Sequence, residues 1–441
     1  MAVPHVTTTS VRRLRPNKRN ARTHSKKQIR QIADSIQRFG WTYPILIDEG
    51  GNVIAGHGRF QAAEFLRLRE VPTIVMTGLS ETEKRALALA DNKIAANAGW
   101  DRALLAAELG ELAQLLPECK LDIEITGFEP AEIDALMGDL VDPEQDPADE
   151  VPELAPKPVS RTGDLWLLDR HRLLCADARA RESYNVLLEG ERADAVFTDP
   201  PYNVRIGGNV SGKGKIQHRE FAMASGEMSE AEFVAFLKAT LGPTAAVSRN
   251  GAVHFICIDW RHLSELQAAG REIYGGLLNL CVWAKTNGGM GSLYRSQHEL
   301  VFVFRVGKEP HRNNVELGRH GRNRSNVWSY AGVNTFRAGR LEELAMHPTA
   351  KPVALVADAI RDVTSRGEIF LDPFMGSGTT ILAAERVGRR GYGLEIDPLY
   401  VDAAIRRWQK FTKRDAVLKR TGQTFDELTD VRASGKARRP K

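Results

Sequence analysis

Residues 369–380, IFLDPFMGSGTT, read as a short apolar strand, a glycine-containing turn and the beginning of a helix that continues to Val387. That order is typical of the ligand pocket in an open α/β sheet. A phosphate-binding loop would have the pattern GxxxxGK[ST], and a dinucleotide-binding loop would have GxGxxG. The segment lacks the lysine of the first pattern and the third glycine of the second, so it predicts a pocket for a ligand other than a phosphate. The alternative is a turn that only packs a helix on a strand.

An acidic residue follows this turn at the distance expected for binding a ribose. The next predicted strand, residues 390–394, ends at Glu395, about 20 residues after the turn. A carboxylate at that position can accept hydrogen bonds from both hydroxyls of a ribose. Together the two features favour an adenosyl ligand that bears a sulfonium, with Asp372 near its cationic methionine portion.

A second strand end carries residues suited to chemistry on an amine. The predicted strand 193–197 continues into TDPPYN, residues 198–203. The lone pair of an exocyclic base amine is delocalised into the ring, so a catalyst must draw the nitrogen toward tetrahedral geometry. Asp199 and the carbonyl of Pro200 supply two acceptors, and Tyr202 offers a face on which an extruded base can stack. The alternative is a tight Asp-Pro turn with a packed tyrosine.

The remaining pattern predicts two domains in the 441-residue chain. Residues 1–140 are expected to form a smaller α+β domain with a helical trailer. The acidic, proline-rich stretch 141–160 is expected to be an extended linker. In 161–415, short apolar strands alternate with helical patterns, which indicates a Rossmann-like, largely parallel α/β sheet covered by helices. Residues 416–441 are expected to be a basic tail.

Three motifs together resemble the N6-adenine and N4-cytosine DNA methyltransferases: TDPPYNV, LDPFMGSGTT and HPTAKP, the last at residues 347–352. Their order matches the beta arrangement, in which the catalytic tetrapeptide precedes the cofactor loop. The resemblance covers about residues 162–408 and implies S-adenosylmethionine as the cofactor. It assigns catalysis to Asp199, Pro200, Pro201 and Tyr202. It assigns the cofactor pocket to Asp372, Phe374, Gly376, Gly378, Glu395, Thr349, Lys351 and Pro352, and Asp177, at the end of the family's opening hairpin, is a further candidate.

The same resemblance favours adenine as the target base. In this family the aspartate form of the tetrapeptide goes with adenine, whereas serine in its place goes with N4 of cytosine. Asp199 therefore favours direct methyl transfer to N6 of a flipped adenine in double-stranded DNA, with cytosine N4 as the alternative acceptor. A protein glutamine methyltransferase would be expected to have asparagine at this position. Target recognition is expected within about residues 203–345, which include the basic stretch 305–324.

The first domain resembles the ParB-like domain over about residues 11–94. Its helix is predicted over 25–39, followed by a hairpin at 45–54 and a helical run over 81–110 that is interrupted at 97–100. The marker is Gly56-His57-Gly58-Arg59 at a strand-to-helix turn, where backbone amides and Arg59 can hold a phosphate or a nucleotide. The family's usual forms are GxRR or GxHR, so we expect His57 to be a structural or ligand-contact residue, and this domain to assist DNA engagement.

Composition limits the other functions that the chain can have. The net charge is +5, with basic clusters that suit a polyanion, and no apolar run is long enough to span a bilayer. The N-terminus lacks the apolar core of a secretory signal, so we expect a cytoplasmic protein. The four cysteines form no CxxC pair, and neither a disulfide framework nor a zinc site is predicted. A homodimer is an open alternative, as is a ParB-like DNA- or nucleotide-binding protein whose methyltransferase half is vestigial.

Overall fold

The computed structural model divides the chain into two compact units, residues 1–140 and 141–441. The residues that it describes are 5–119, 121–129, 132–134, 136, 146–152, 154–204, 226–285, 293–317, 324–330 and 351–433.

The first unit is built on a four-stranded sheet in the order β1-β4-β2-β3. Strand β4 lies antiparallel to β1 and parallel to β2, which forms an antiparallel hairpin with β3. The strands are β1 (Val6–Ser10), β2 (Ile45–Ile47), β3 (Val53–Ala55) and β4 (Glu70–Val75). The helices are α1 (Lys26–Phe39), α2 (His57–Phe65), α3 (Glu81–Ala96) and α4 (Arg102–Leu115).

The local sequence signals of this unit are confirmed with small shifts of boundary. Ser25 caps α1, because its side chain accepts a hydrogen bond from the amide of Gln28. The predicted hairpin is β2–β3, and the predicted interruption at 97–100 separates α3 from α4. Helix α2 begins at His57, directly after Gly56, whose left-handed conformation (φ +94°) ends the extended backbone of β3.

The second unit contains a ten-stranded sheet among the described residues, in the order β11-β9-β10-β8-β7-β12-β13-β6-β5-β14. The central strands β8, β7, β12, β13 and β6 run parallel to their neighbours within that group. Antiparallel pairs lie on both flanks. The strands are β5 (Leu165–Leu168), β6 (His171–Cys175), β7 (Ala193–Thr198), β8 (Ser248–Ile258), β9 (Gly276–Ala284), β10 (His298–Arg305), β11 (Val327–Ser329), β12 (Ile369–Asp372), β13 (Arg390–Glu395) and β14 (Val417–Leu418).

Amphipathic helices cover this sheet, and their buried residues join its apolar side chains in shared core clusters. The helices are α5 (Arg181–Leu188), α6 (Glu230–Ala246), α7 (Leu263–Ile273), α8 (Val353–Val363), α9 (Thr379–Arg386), α10 (Pro398–Thr412) and α11 (Phe425–Ala433). The α/β fold class predicted from the sequence is confirmed. The sheet is mixed, however, because the hairpins β5–β6 and β9–β10 add antiparallel strands to the parallel centre.

The stretch predicted to be an extended linker is partly built into the second unit. Ala148 is buried, and its carbonyl accepts hydrogen bonds from Nε and Nη2 of Arg407 at 2.9 and 2.6 Å. Asp149 accepts the amide of Val353, the first residue of α8, at 2.8 Å. Among the described residues of this stretch, Pro147–Asp149 form a short 3-10 helix. Buried polar groups of the second unit need partners, and this segment supplies them.

The basic tail was predicted to begin at residue 416, but residues 417–433 include a strand and a helix of the second unit. Strand β14 pairs with β5, and Phe425 of α11 is fully buried and lies edge-on to Trp166, with ring centroids 5.3 Å apart. The few apolar residues among many charged ones made this segment look like a tail. They are sufficient to seal the edge of the sheet, so the folded unit extends beyond residue 415.

None of the helices in the described ranges is long and apolar enough to cross a membrane. Cys119 is exposed, whereas Cys175, Cys257 and Cys281 are buried. Within the same ranges, no group of three or more histidine, cysteine or acidic side chains could hold a metal ion.

Candidate active site

Four acidic residues follow the carboxyl ends of four neighbouring parallel strands. Asp199 comes directly after β7, Asp372 and Glu395 end β12 and β13, and Asp177 lies two residues after β6. The strands are adjacent in the order β7-β12-β13-β6. Because the carboxyl ends of parallel strands meet at one edge of a sheet, the fold gathers these four acids along a single edge. We call this edge, defined by the four residues, the acidic edge.

At one end of the acidic edge, the carboxylate of Asp199 is held from two sides. Its Oδ2 lies 2.5 Å from Nζ of Lys351, and its Oδ1 accepts a hydrogen bond from the hydroxyl of Tyr202. The side chain of Asp199 is 23% exposed, and Pro200 is buried. A carboxylate has about four lone-pair positions. Two are in use, so Asp199 can still accept hydrogen bonds from an incoming amine.

Lys351 is itself enclosed by a second carboxylate and two aromatic rings. Only 5% of its side chain is exposed, and Nζ lies 2.9 Å from Oε2 of Glu299. The other carboxylate oxygen of Glu299 pairs with Lys285. Nζ of Lys351 also lies 5.8 Å from the ring centre of Tyr202 and 5.7 Å from that of Trp283. The resemblance assigned Lys351 to the cofactor pocket, and the structure brings it against Asp199.

The charges in this cluster act strongly on one another. Burial raises the pKa of Asp199, and the Lys351 ammonium opposes that rise. Burial would also raise the pKa of Glu299, but the ammonium groups of Lys351 and Lys285 outweigh it and hold the pKa at about 2. For Lys351, the two carboxylates overcome the effect of burial and raise its pKa. Near neutral pH, Lys351 is therefore a cation and Glu299 an anion.

The glycine turn after β12 is shaped by close packing. Gly378 is left-handed (φ +89°) and forms the N-cap of α9. A Cβ at this position would lie 2.8 Å from Cβ of Ala404 on α10, a distance at which one of the two must move. Gly376 is also left-handed (φ +52°), but a Cβ there would meet nothing within 4 Å. The turn therefore needs glycine at 378 for both conformation and space.

Asp372 fastens this turn to the strands. Its carboxylate accepts hydrogen bonds from the hydroxyls of Thr198 and Thr380, at 3.0 and 2.7 Å, and from the amide of Phe374 at 3.0 Å. Burial raises its pKa to about 6, although these three donors lower it. Asp372 therefore orders the loop in addition to contributing negative charge. Phe374 is half-buried and contributes an apolar ring beside it.

Glu395 faces the same turn from the next strand. Its Oε2 accepts the amide of Gly376 at 2.8 Å, and its Oε1 accepts the amide of Asp397 at 2.9 Å. Burial raises the pKa of Glu395 to about 7, against these two amide hydrogen bonds. Each oxygen retains a lone pair, so the carboxylate can accept two further hydrogen bonds from a ligand.

The other residues implied by the resemblance are distributed unevenly. Asp177 lies on the acidic edge, but its carboxylate is engaged by the guanidinium of Arg179 at 2.7 to 3.1 Å. Pro352 is the N-cap residue of α8, directly after Lys351. Thr349 lies outside the described residues, as do 205–225 and 331–345 of the expected target-recognition region.

Two arginines of the basic stretch 305–324 are occupied by acidic partners. Arg312 donates to Glu368 at 2.8 Å. Arg324 is paired with Asp358 and Asp362 at 3.0 and 3.1 Å. Their charges are therefore largely neutralised within the fold, and the basic composition of the stretch overstates what it offers to a phosphate backbone.

The first unit has its own strand–glycine–helix turn. Gly56 ends β3, and His57 is buried, with Nε2 accepting the amide of Asn17 at 3.2 Å. Burial lowers the pKa of His57, which leaves the ring neutral near pH 7. The guanidinium of Arg59 lies 5.7 Å from the ring centre of Tyr43. The turn borders an open cleft of about 210 Å³, which is also lined by Asn20, Arg22, His24, Gln28, Ile32, Asp91, Asn92 and Ala95.

Glu299 and Lys285 are site residues that the sequence did not indicate. Both belong to VWAKTNGGMGSLYRSQHELVFVF, which resembles the family as a whole without marking either residue. One signal was present: Glu299 is an acid near the start of a strand, β10, whose next five residues are all buried. An acid beside a buried strand requires a cationic partner, but the sequence could not say that the partner would be Lys351, 52 positions away.

Three family models match successive parts of the chain. A family model described as DNA methylase matches residues 193–406, a ParB N-terminal domain model matches 2–93, and a ParB-methyltransferase HTH domain model matches 103–162. The chain is 54% identical over 72 residues to the ParB-like nuclease domain-containing protein YnaK of Escherichia coli (strain K12), which covers 16% of this chain and 83% of that protein.

Two further relatives are methyltransferases. The Type II methyltransferase M.HpaI of Haemophilus parainfluenzae is 26% identical over 277 residues, which cover 59% of this chain and 81% of that protein. The structure of PvuII DNA methyltransferase (cytosine-N4-specific) matches with a TM-score of 0.42 and 17% identity, covering 63% of this chain and 94% of that one. The chain therefore contains a DNA methylase domain, preceded by a ParB N-terminal domain and a ParB-methyltransferase HTH domain.

Proposed function

We propose that this protein transfers a methyl group from S-adenosylmethionine to N6 of an adenine flipped out of double-stranded DNA. The observation that carries the proposal is the acidic edge. An amine-accepting carboxylate, Asp199, and a glycine turn flanked by Asp372 and Glu395 follow neighbouring parallel strands. A methyl donor bound at the turn and a base bound at Asp199 would therefore be adjacent.

The residues around the glycine turn fit this cofactor in charge and shape. S-adenosylmethionine supplies a methyl group on a positively charged sulfur, which an amine nitrogen can attack. Residues 372–380 include no basic side chain, and Asp372 and Glu395 contribute acids to the pocket. Glu395 retains acceptor capacity for the two ribose hydroxyls, and Phe374 offers an apolar ring to the adenine. Gly376 has open space where a Cβ would lie, so the backbone there can approach a ligand closely.

The Asp199 corner fits an exocyclic amine. A base amine has two N–H donors, and the free lone pairs of Asp199 and the carbonyl of Pro200 are two acceptors at consecutive residues. Accepting both hydrogens pulls the nitrogen lone pair out of conjugation and makes it nucleophilic. The ring of Tyr202 is fixed by its hydroxyl contacts with Asp199 and Glu299, the latter at 3.2 Å, and can support the flipped base.

Adenine is favoured over cytosine by the resemblance at Asp199. The methyltransferases that the second unit resembles act on N6 of adenine or on N4 of cytosine. In these enzymes the aspartate form of the tetrapeptide goes with adenine. Direct attack by the amine needs no enzyme nucleophile. Burial raises the pKa of the Cys257 thiol well above its ordinary value, which suits a residue that takes no covalent part.

The first unit is proposed to assist DNA engagement by binding a phosphate-bearing ligand. Arg59 and Arg22 border the cleft beside the Gly56 turn, where a backbone amide at a helix N-terminus also favours an anion. The neutral His57, which accepts a backbone amide, supports a structural role for this histidine.

The proposal is tested with purified full-length protein, methyl-labelled S-adenosylmethionine and unmethylated genomic DNA, followed by mass spectrometry of the nucleosides. Wild type is expected to form N6-methyladenine, and Asp199→Ala to lower the rate by at least about 10³-fold, since it removes an acceptor aimed at the reacting nitrogen. Asp194→Ala, an acid at the other end of β7, is the matched control and should retain transfer. Production of N4-methylcytosine would overturn the choice of base. Absence of any transfer by a folded wild type would favour the ParB-like binding function.

A further inference from the structure

Lys351 is a buried cation whose position is defined by two carboxylates. It lies 2.5 Å from Asp199 and 2.9 Å from Glu299, between the rings of Tyr202 and Trp283. Removing one member of such a cluster leaves another buried charge without its partner, which is costly. The three charged groups therefore depend on one another, although they come from a strand end, a different strand and the segment before α8.

Charged and titratable groups from several of the described elements surround Asp199. Negative groups approach from β10 and β12, positive groups from the segment before α8 and from the end of β9, and titratable neutral groups from its own loop and β8. These groups are Glu299, Asp372, Lys351, Lys285, Tyr202 and Cys257. Among the cations, only Lys351 contacts Asp199 directly. Without it, Asp199 would face two other carboxylates with no cation in contact.

We propose that Lys351 and Glu299 are positioning residues for methyl transfer: Lys351 holds Asp199 as an ionised acceptor, and Glu299 holds Lys351 in place. This inference rests on the proposed function. A protonated Asp199 would have lost part of its acceptor capacity and could not take up a proton from the amine. Neither Lys351 nor Glu299 needs to touch the base or the cofactor, because each acts through Asp199.

The ionised state matters for the proton that the reaction releases. As the amine lone pair forms the new N–C bond, the S–CH3 bond of the sulfonium breaks, and its electron pair stays on sulfur, which leaves as a neutral thioether. The amine nitrogen then carries a positive charge and one proton too many. Breaking that N–H bond returns its electron pair to nitrogen, and an oxygen of Asp199 takes the proton and becomes a neutral carboxylic acid. The proton then passes to water. Lys351 keeps Asp199 ionised before the step, and Glu299, as a nearby negative charge, favours proton uptake during it.

The test is the single-turnover rate of methyl transfer between pH 5 and 9, with saturating cofactor and DNA. Lys351→Met should move the acidic limb of the profile upward by at least about one pH unit. At a pH on the acidic limb of the wild-type profile, the rate would then be at least about tenfold lower, and most of it would be recovered at pH 9. The KM for S-adenosylmethionine should stay unchanged. Lys351→Arg, which keeps the charge, should restore the wild-type limb.

Glu299→Gln provides a prediction of opposite sign. The amide can still accept a hydrogen bond from Lys351, but the negative charge next to Asp199 is gone, so the acidic limb should move to lower pH. If Lys351→Met fails to fold, the pH profile of Glu299→Gln tests the positioning roles by itself. Lys419→Met, which removes a surface lysine paired with Glu189, is the matched control and should leave the profile unchanged.

The outcomes separate this inference from the proposed function. If wild type transfers methyl groups and both Lys351→Met and Glu299→Gln reduce the rate equally at every pH, the inference is overturned and the cluster is only structural. A raised KM for the cofactor in Lys351→Met with an unshifted pH profile would also overturn it, in favour of a cofactor contact. If wild type transfers no methyl group to any DNA, both proposals fall together.

Discussion

The two units contain the same local device with opposite charge around it. In each, a left-handed glycine caps the helix that follows a strand. Gly56 comes directly after β3 and before α2 (φ +94°), and Gly378 lies six residues after the end of β12 and before α9 (φ +89°). Arginines border the first turn, at the edge of an open cleft. Carboxylates flank the second, which is buried and braced. The backbone geometry is therefore not what selects the ligand; the charge of the side chains around it is, and it suits an anion in one unit and a sulfonium cation in the other.

The buried side chain of Arg407 adds a further brace to the second turn, beside Asp372 and Glu395. Nη1 of Arg407 donates to the hydroxyls of Ser377 and Thr379 at 3.2 and 3.0 Å, and its other nitrogens donate to the carbonyl of Ala148. The guanidinium of Arg407 thus links the segment around Ala148 to the glycine turn. At Gly56, the three atoms nearest to an added Cβ would all belong to the side chain of Arg59.

The largest expected effect comes from removing this brace. Arg407→Met leaves the carbonyl of Ala148 and the Thr379 hydroxyl without their donor, and should lower the free energy of unfolding of the second unit by about 3 kcal/mol. Urea denaturation followed by tryptophan fluorescence measures the change. Arg406→Met, at the neighbouring partly buried position, is the control and should cost less than about 1 kcal/mol. Equal losses in the two variants would show that the brace is unimportant.

A smaller effect is expected from adding one methyl group to each turn. Gly378→Ala should destabilise the second unit by about 2 to 3 kcal/mol, because the backbone strain is joined by a clash with Ala404. Gly56→Ala should cost only about 1 to 2 kcal/mol, since the contacting Arg59 side chain can move aside. Hydrogen exchange of the amides in α9 and α2 reports the two effects separately. A greater loss of protection at α2 would reverse the comparison.

Cofactor affinity should depend on pH through Glu395. Its carboxyl, with a pKa of about 7, becomes ionised between pH 6 and 8, so the dissociation constant for S-adenosylmethionine should fall several-fold over that interval. Because this pKa is raised on folding, the group also makes the unliganded protein less stable as pH rises from about 4.5 to 7. Glu395→Gln should weaken binding about tenfold at pH 8 and remove the pH dependence. Calorimetric titration at several pH values measures both; an unchanged dependence in the variant would implicate another group.

The smallest effect on methyl transfer is expected from the basic turn. Arg59→Met should weaken the binding of a nucleoside triphosphate, used as a phosphate-bearing probe, by about tenfold. The affinity of the Arg59→Met variant for S-adenosylmethionine should remain within about twofold of that of wild type. Calorimetry with both ligands tests this difference. A loss of cofactor affinity in Arg59→Met would break the assignment of separate ligands to the two turns.

The sequence predicted well wherever function requires a local pattern. Periodicity and motif were enough to identify three features, because neighbouring residues set each of them. They are the strand, turn and helix around Gly378, the strand that runs into Asp199, and the acid at the end of β13. The hairpin in the first unit was predictable for the same reason.

Prediction was weaker where a contact joins distant segments. Glu299 gave no local sign that it would pair with Lys351, and the acidic, proline-rich stretch gave none that Ala148 would bind Arg407. Phe425 lies in a charged segment, and it is buried against Trp166, which lies 259 positions earlier in the chain. In each case the partner lies far along the chain and is selected by tertiary packing, which residue spacing alone does not encode.

The central claim is that Asp199 directs methylation to the exocyclic amine of adenine. The most direct measurement is to express the full chain in a bacterial host without DNA methylation of its own and to hydrolyse the host DNA for nucleoside mass spectrometry. The account predicts N6-methyladenine with wild type and none with Asp199→Ala, at equal protein levels. N4-methylcytosine, or N6-methyladenine that persists in Asp199→Ala, would contradict it.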